Sequence, residues 1–98
     1  MKHIEELIEE ICEELDGACE YAEEYIKAKA QGHSMRATKY KSMAEDELTH
    51  AGNIKDFAGQ DIEEIRRVFE LPHEIEEKWE KAIKHYAERV AWIKYMLN

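Results

Sequence analysis

The spacing of the apolar residues most restricts what this chain can fold into. Apolar side chains recur three and four residues apart almost from end to end, which is the period of one face of an α-helix. Only one proline and four glycines occur among the 98 residues, so few positions can break a helix. The sequence therefore predicts an all-α protein whose residues 1–98 form a single helical domain.

Three helices are predicted, over about residues 2–30, 34–70 and 73–97. Gly32 marks the end of the first helix, and Ser34 is the predicted N-cap of the second. Leu71-Pro72 separates the second helix from the third, because the residue before a proline disfavours helix whereas proline itself can open one. The predicted inward positions of the second helix are Ala37, Tyr40, Met43, Ala44, Glu47, Ala51, Ile54, Ala58, Ile62, Ile65 and Phe69.

Charge and hydropathy argue against two classes of partner. The formal net charge is -9 and the pI is near 5.0, whereas nucleic acids and anionic membranes attract clustered lysine and arginine. No run approaches the ~18 apolar residues of a membrane span, and the start M-K-H-I-E-E lacks the apolar core of a signal peptide. We expect a cytoplasmic protein with no nucleic-acid or membrane partner.

The length of the helices predicts self-association. A helix of about 36 residues is roughly 54 Å long, whereas a compact domain of this size has a radius of gyration of only ~13 Å. One chain cannot cover the apolar faces of three such helices. We therefore expect a homo-oligomer, most simply a twofold dimer.

Three ionisable residues interrupt the predicted apolar faces. Glu47 and His50 lie on a line of the second helix that includes Tyr40, Met43 and Phe57, and Glu14 interrupts a similar line on the first. Glu14 lies 18 residues before Gly32 and Glu47 lies 15 after it, so an antiparallel hairpin brings them to about the same height. Glu-x-x-His aims both side chains at one helix face, as in four-helix bundles that hold two iron ions.

This pattern resembles the first helix pair of ferritin-like, rubrerythrin-type proteins. The resemblance covers about residues 11–54 and rests on Glu14 with Tyr21 seven residues later, Gly32 at the turn, and then Tyr40, Ala44, Glu45, Glu47, His50 and Ala51. Short bacterial and phage ferritin-like proteins and the encapsulated ferritins likewise carry half a bundle per chain. Unlike full-length rubrerythrins, this sequence has no second glutamate and Glu-x-x-His pair after residue 72, so its third helix is not a second ligand helix.

The resemblance implies a dinuclear metal site completed by a second chain. Glu14, Glu47 and His50 of each chain would be the ligands and catalytic residues of a ferritin-like four-helix bundle formed by a homodimer. The four carboxylates would balance the charge of two divalent ions per dimer, with iron expected and manganese or zinc as alternatives. The implied activity is that of a ferroxidase, an oxidoreductase that oxidises Fe(II) with oxygen or peroxide in iron handling or oxidative-stress protection. Tyr21 would hydrogen-bond a ligand carboxylate, or be a core aromatic.

Two other functions stay open from the sequence. A rubrerythrin-like peroxide reductase would need electrons from another protein, since the chain has no cysteine-ligated iron module. A metal-free helical interaction protein of phage or mobile-element origin would instead keep its inward acids protonated or linked to water. The sequence also leaves open whether the third helix lies across the bundle, exchanges between chains or joins dimers into a ring.

Overall fold

The computed structural model describes all 98 residues as three α-helices joined by two short turns. Helix α1 spans Lys2–Ala30, α2 spans Ser34–Arg66 and α3 spans His73–Met96, so the all-α prediction is confirmed. The helices lie along one another in a rod of 55 × 18 × 16 Å. None of the three combines the length and the hydropathy needed to cross a membrane.

The turn between α1 and α2 depends on the glycine that the sequence identified. Gly32 has φ +76°, a backbone conformation that side chains with a Cβ disfavour. The N–H of His33 donates to Ala28 O at 2.9 Å and the N–H of Gly32 donates to Lys29 O at 3.1 Å, the pair of bonds that closes a Schellman motif. The residue at the N-cap of α2 is His33 rather than the predicted Ser34, and no side chain caps this helix.

Helix α2 ends at Arg66, earlier than the predicted residue 70. The N–H groups of Val68 and Phe69 both donate to Ile65 O, at 3.0 and 2.8 Å, which tightens the last turn and ends the helix. Pro72 disfavours helix at Leu71, and the chain already leaves the helix after Arg66, so the helical periodicity does not continue through Phe69. Phe69 is 70% exposed, and its predicted inward position is wrong.

A seam of small residues joins α1 and α2. Ala44, Ala51 and Ala58 follow one another at intervals of seven on α2, and each is fully buried. Two larger apolar residues of the same helix lie off this line: Met43, predicted to face inward, is 39% exposed, and Phe57 is 55% exposed. Alanines allow two helix backbones to approach closely, so α2 turns its alanine line toward α1 and leaves the neighbouring line with Met43 at the surface.

Helix α3 folds back along the hairpin of α1 and α2 and covers one side of it. Near the α1–α2 turn, Ile93 and Leu97 join the core around Ala22, and at the other end Ile75 packs with Ile4 and other apolar residues. Two ion pairs fasten α3 to α1: Lys78 with Glu5 at 2.8 Å, and Arg89 with Asp16 at 3.0 Å. The opposite side of the hairpin has no covering helix within the chain.

The alanine seam predicts that enlarging a buried alanine lowers stability more than enlarging an exposed one. Ala51→Leu should lower the free energy of unfolding by about 1–3 kcal/mol, because a well-packed interface must deform to accept the added methyl groups. Ala87→Leu is the matched control, since Ala87 is exposed on α3, and it should change stability by less than about 0.5 kcal/mol. Urea denaturation of both variants measures this difference, and equal effects would contradict the seam.

Candidate metal centre

Glu14, Glu47 and His50 come together near the middle of the hairpin. A carboxylate oxygen of Glu14, a carboxylate oxygen of Glu47 and a ring nitrogen of His50 lie within 4.8 Å of one another. Glu14 comes from α1, while Glu47 and His50 come from one turn of α2. The turn at Gly32 sets this register, so the structure places the three residues at a common height, as their offsets from that glycine predict.

The cluster lies on the side of the hairpin that α3 leaves open. The side chain of Glu14 is 29% exposed and that of His50 is 56% exposed, while Glu47 is half-buried. His50 Nδ1 lies 3.5 Å from Glu14 Oε2, within ion-pair distance when the imidazole is protonated. The three side chains therefore point from the hairpin toward a surface that remains accessible.

The two carboxylates are electrostatically unsatisfied. Glu14 Oε2 is buried, yet it accepts no hydrogen bond from the protein. The pKa of Glu47 is raised, chiefly because its protonated carboxyl can donate a hydrogen bond to Glu14, and further by burial and by the negative charge of Glu14. The charge of a protonated His50 acts in the opposite direction. The cluster thus favours a positive charge or a proton between the two acids.

Gly17 is a part of the centre that the sequence reasoning missed. A Cβ at this position of α1 would lie 3.2 Å from Glu47 Oε2. The absence of a side chain therefore leaves the space in which the Glu47 carboxylate approaches α1 beside Glu14. The signal available in the sequence was a glycine in the interior of a helix, where it is unfavourable, three residues after a candidate ligand.

Tyr21 lies two helical turns from Glu14 on α1 and packs against the hydrophobic core. Its ring stacks on that of Tyr40, with 6.4 Å between the ring centroids, and its hydroxyl forms no hydrogen bond to Glu14 or Glu47. The remaining histidines lie elsewhere; His3 pairs with Asp61 at 2.8 Å at the far end of the rod. Only His50 among the five histidines joins a cluster of potential metal ligands.

No protein-family model, no curated protein and no solved structure matches this chain.

The donor set determines what the centre can bind. Two carboxylates and an imidazole are the mixed oxygen and nitrogen ligands used for iron, manganese and zinc, and bridging carboxylates favour iron or manganese. The buried oxygen of Glu14 accepts no hydrogen bond, although His50 Nδ1 lies 3.5 Å away, and it fits a cation that both residues would bind.

The raised pKa of Glu47 predicts a pH-dependent stability of the metal-free protein. A raised carboxyl pKa means that folding favours the protonated form, so stability falls as pH rises from the ordinary value near 4.5 through the folded value. Glu47→Gln removes this penalty. The variant should melt above the parent at pH 7, by at most about 4 °C because Glu47 is partly exposed and solvent screens the repulsion.

Thermal melting in the presence of a chelator measures this effect between pH 4 and pH 8. The advantage of Glu47→Gln should disappear below the ordinary carboxyl pKa, where the parent is protonated in both the folded and the unfolded state. Glu45→Gln is the matched control, because Glu45 is exposed on the same helix. A pH-independent difference, or the same profile for Glu45→Gln, would contradict the proposed repulsion.

Proposed function

We propose that this chain is a ferritin-like metal-binding protein whose dinuclear centre is completed by a second copy. The observation that carries the proposal is the buried Glu14 Oε2, which lacks a hydrogen-bond donor and lies in a cluster with Glu47 and His50. A carboxylate oxygen that is removed from water without a hydrogen-bond donor is unfavourable by about 1–3 kcal/mol, and by more when it is charged. A divalent cation bound by the three residues removes that penalty.

The need for a second copy follows from the number of ligands. Three protein donors do not complete the coordination shell of two ions, and the cluster opens toward the uncovered side of the hairpin. A twofold mate on that side contributes a second Glu14, Glu47 and His50. Four carboxylates then neutralise two divalent ions, so metal binding and dimerisation stabilise each other.

The surface around the centre supports a second copy. Met43 and Phe57, which flank Glu47 and His50 on α2, are 39% and 55% exposed. The half-buried Tyr21 and Tyr40 rings extend the same surface. Large apolar side chains on both sides of a set of potential ligands are typical of an interface rather than of a solvated face.

The activity proposed for this centre is oxidation of Fe(II), the substrate, by oxygen or peroxide. Two Fe(II) ions held by the centre would supply two electrons together, which with two protons would reduce oxygen to hydrogen peroxide, or hydrogen peroxide to two waters. The carboxylates of Glu14 and Glu47 stabilise the higher positive charge of the oxidised ion. The imidazole of His50 would bind the ion through one ring nitrogen, and a hydrogen bond donated by the N–H of the other ring nitrogen would fix its tautomer.

A metal-free function is the second candidate, and the pKa of Glu47 supports it. A proton held between Glu14 and Glu47 relieves part of the same repulsion that a cation would relieve. In that case the exposed apolar surface would bind another helical protein without metal. Rubrerythrin-like peroxide reduction uses the proposed metal centre but takes its electrons from a partner protein, so peroxide consumption that continues catalytically with a reductant would distinguish it from stoichiometric oxidation of Fe(II).

Anaerobic Fe(II) titration followed by metal analysis and light scattering tests the proposal. We expect one ion per chain, equivalent to two per dimer, and a dimeric mass in the loaded protein. Glu47→Ala should abolish stoichiometric binding, whereas Glu45→Ala should retain it because Glu45 lies outside the cluster. A parent protein that binds no Fe(II), Mn(II) or Zn(II), and whose melting temperature these ions do not change, would favour the metal-free function.

The space at Gly17 predicts a variant that separates metal affinity from stability. Gly17→Ala should weaken metal binding about tenfold or more, because its Cβ displaces the Glu47 carboxylate, a supporting contact of the kind whose loss typically lowers affinity 10- to 100-fold. Gly59→Ala is the matched control: its Cβ would make an ordinary contact with Trp79 at 3.8 Å. Both substitutions favour helix, so a difference in metal affinity between them cannot come from helix propensity. The control should bind metal as the parent does. Equal affinities, measured by competition with a chelator, would show that Gly17 does not position Glu47.

A further inference from the structure

Charge is distributed unevenly along the rod. Residues 25–44, around the α1–α2 turn, contain no acid and carry a formal charge of +5, although the whole chain carries -9. We call this segment the basic end, and its five bases are Lys27, Lys29, Arg36, Lys39 and Lys41. The net charge of the chain, which argues against an anionic partner, therefore does not describe this end of the molecule.

Most of the charge at the basic end is not neutralised within the fold. Lys27 forms a salt bridge with Glu24 at 3.5 Å. Lys29 donates a hydrogen bond to a tyrosine hydroxyl at 3.4 Å, which leaves its charge in place. No salt bridge is formed by the other three bases, Arg36, Lys39 and Lys41.

Helix stability explains only some of these bases. Lys27 and Lys29 lie in the last turn of α1, where a cation complements the helix dipole. Arg36 lies in the first turn of α2, where a cation opposes the dipole, and this turn contains no acid. The first turns of α1 and α3 both contain acids. Arg36 is therefore unfavourable for its own helix and needs another reason.

The bases lie on two sides of the tip instead of along one helix. A surface cavity of about 560 Å³ is lined in part by Lys29 and Lys41, and a second cavity of about 400 Å³ is lined in part by Arg36 and Lys39. The two linings have a single residue in common. A partner that contacts all four bases at once must therefore approach the rod end-on.

An exposed apolar side chain lies at the same tip. Met35 is 76% exposed, more than any other large apolar residue of the chain. It is the second residue of α2, beside Arg36, so it lies at the very end of the rod. Peripheral proteins bind anionic membranes through this combination, because cations attract the headgroups while an apolar side chain enters the boundary between headgroups and acyl chains.

We propose that the basic end docks end-on against an anionic membrane surface, with Met35 inserted among the lipid headgroups and the surrounding bases paired with lipid phosphates. The inference goes beyond the proposed function and does not depend on it. The tip is separated from the candidate metal centre by the 18 residues between Glu14 and Gly32, roughly 27 Å along α1.

The dimensions of the rod favour a membrane over a macromolecular partner. The end of the rod is only 18 × 16 Å across, whereas a specific protein interface covers about 800 Å² on each partner. Lipids diffuse within the membrane plane, so anionic headgroups can gather under a small basic tip. A nucleic acid would neutralise the same bases but would offer no apolar layer to Met35.

An end-on orientation also keeps the acids of the chain away from the lipids. Apart from Glu24, which pairs with Lys27, the nearest acid on α1 is Glu23, nine residues before Gly32. Nine residues correspond to roughly 14 Å, beyond the Debye length of about 8 Å at physiological salt. The opposite end of the rod lies 55 Å away. Salt therefore screens the repulsion between these acids and the membrane, while the bases at the tip stay within reach of it.

Co-sedimentation with unilamellar vesicles tests the proposal, with a chelator present so that the result does not depend on the metal centre. The parent should bind vesicles of equal parts phosphatidylglycerol and phosphatidylcholine at low salt, and high salt should release it. Vesicles of phosphatidylcholine alone should not bind it. Absence of binding to the anionic vesicles at low salt would overturn the proposal.

Paired charge variants locate the contact. Arg36→Gln with Lys39→Gln should weaken binding to the anionic vesicles about tenfold or more, since each base near such a surface strengthens binding about fivefold. Arg67→Gln with Lys81→Gln is the matched control, because both residues are exposed, lie outside the basic end and form no salt bridge. It removes the same charge and should bind within about twofold of the parent. Equal losses in the two pairs would contradict a contact at the tip.

Met35→Ser distinguishes a membrane from other polyanions. It leaves the charge unchanged and removes the inserted side chain, so it should weaken vesicle binding about threefold or more. Phe69→Ser is the control, since Phe69 is 70% exposed at the opposite end of the rod, and it should bind as the parent does. Binding to duplex DNA in place of vesicles, or vesicle binding that Met35→Ser leaves unchanged, would overturn the membrane proposal. Failure of the chain to bind metal would overturn the proposed function and leave this result intact.

Discussion

The close approach of α1 and α2 is the constraint on which the rest of the structure depends. Alanines at 44, 51 and 58 bring the two backbones together, and Gly17 removes a side chain where α2 projects Glu47. Because the helices are near each other, carboxylates from both meet at one point instead of extending separately into water. The candidate centre is therefore a consequence of small residues in the seam as much as of its ionisable residues.

The unsatisfied charge of that centre connects the fold to its proposed function. A buried oxygen of Glu14 without a donor and a raised pKa at Glu47 both indicate that the cluster favours added positive charge. Helix α3 covers the other side of the hairpin, so it leaves the centre open to a second copy. The metal binding and the dimer that we propose both depend on this one uncovered surface of the hairpin.

The sequence predicted the helices well because their signals are local. The apolar period, Gly32 and Pro72 define α1, α2 and α3, and two offsets from Gly32 predict which residues of the candidate centre share a height. The end of α2 was less predictable, since Phe69 continues the apolar period although Pro72 already imposes extended backbone before it. Gly17 was missed because its effect is exerted on a residue 30 positions away.

The sequence by itself determined the all-α class, the register of the hairpin and the residues brought together at its middle, because backbone propensity and turn geometry act over a few residues. Only the tertiary structure decided which face of α2 meets α1 and which side of the hairpin α3 covers. The period of α2 allows the alanine line and the Met43 line equally, and the choice between them depends on how closely the two helices pack. That choice also decides that His50 and Phe57 face outward.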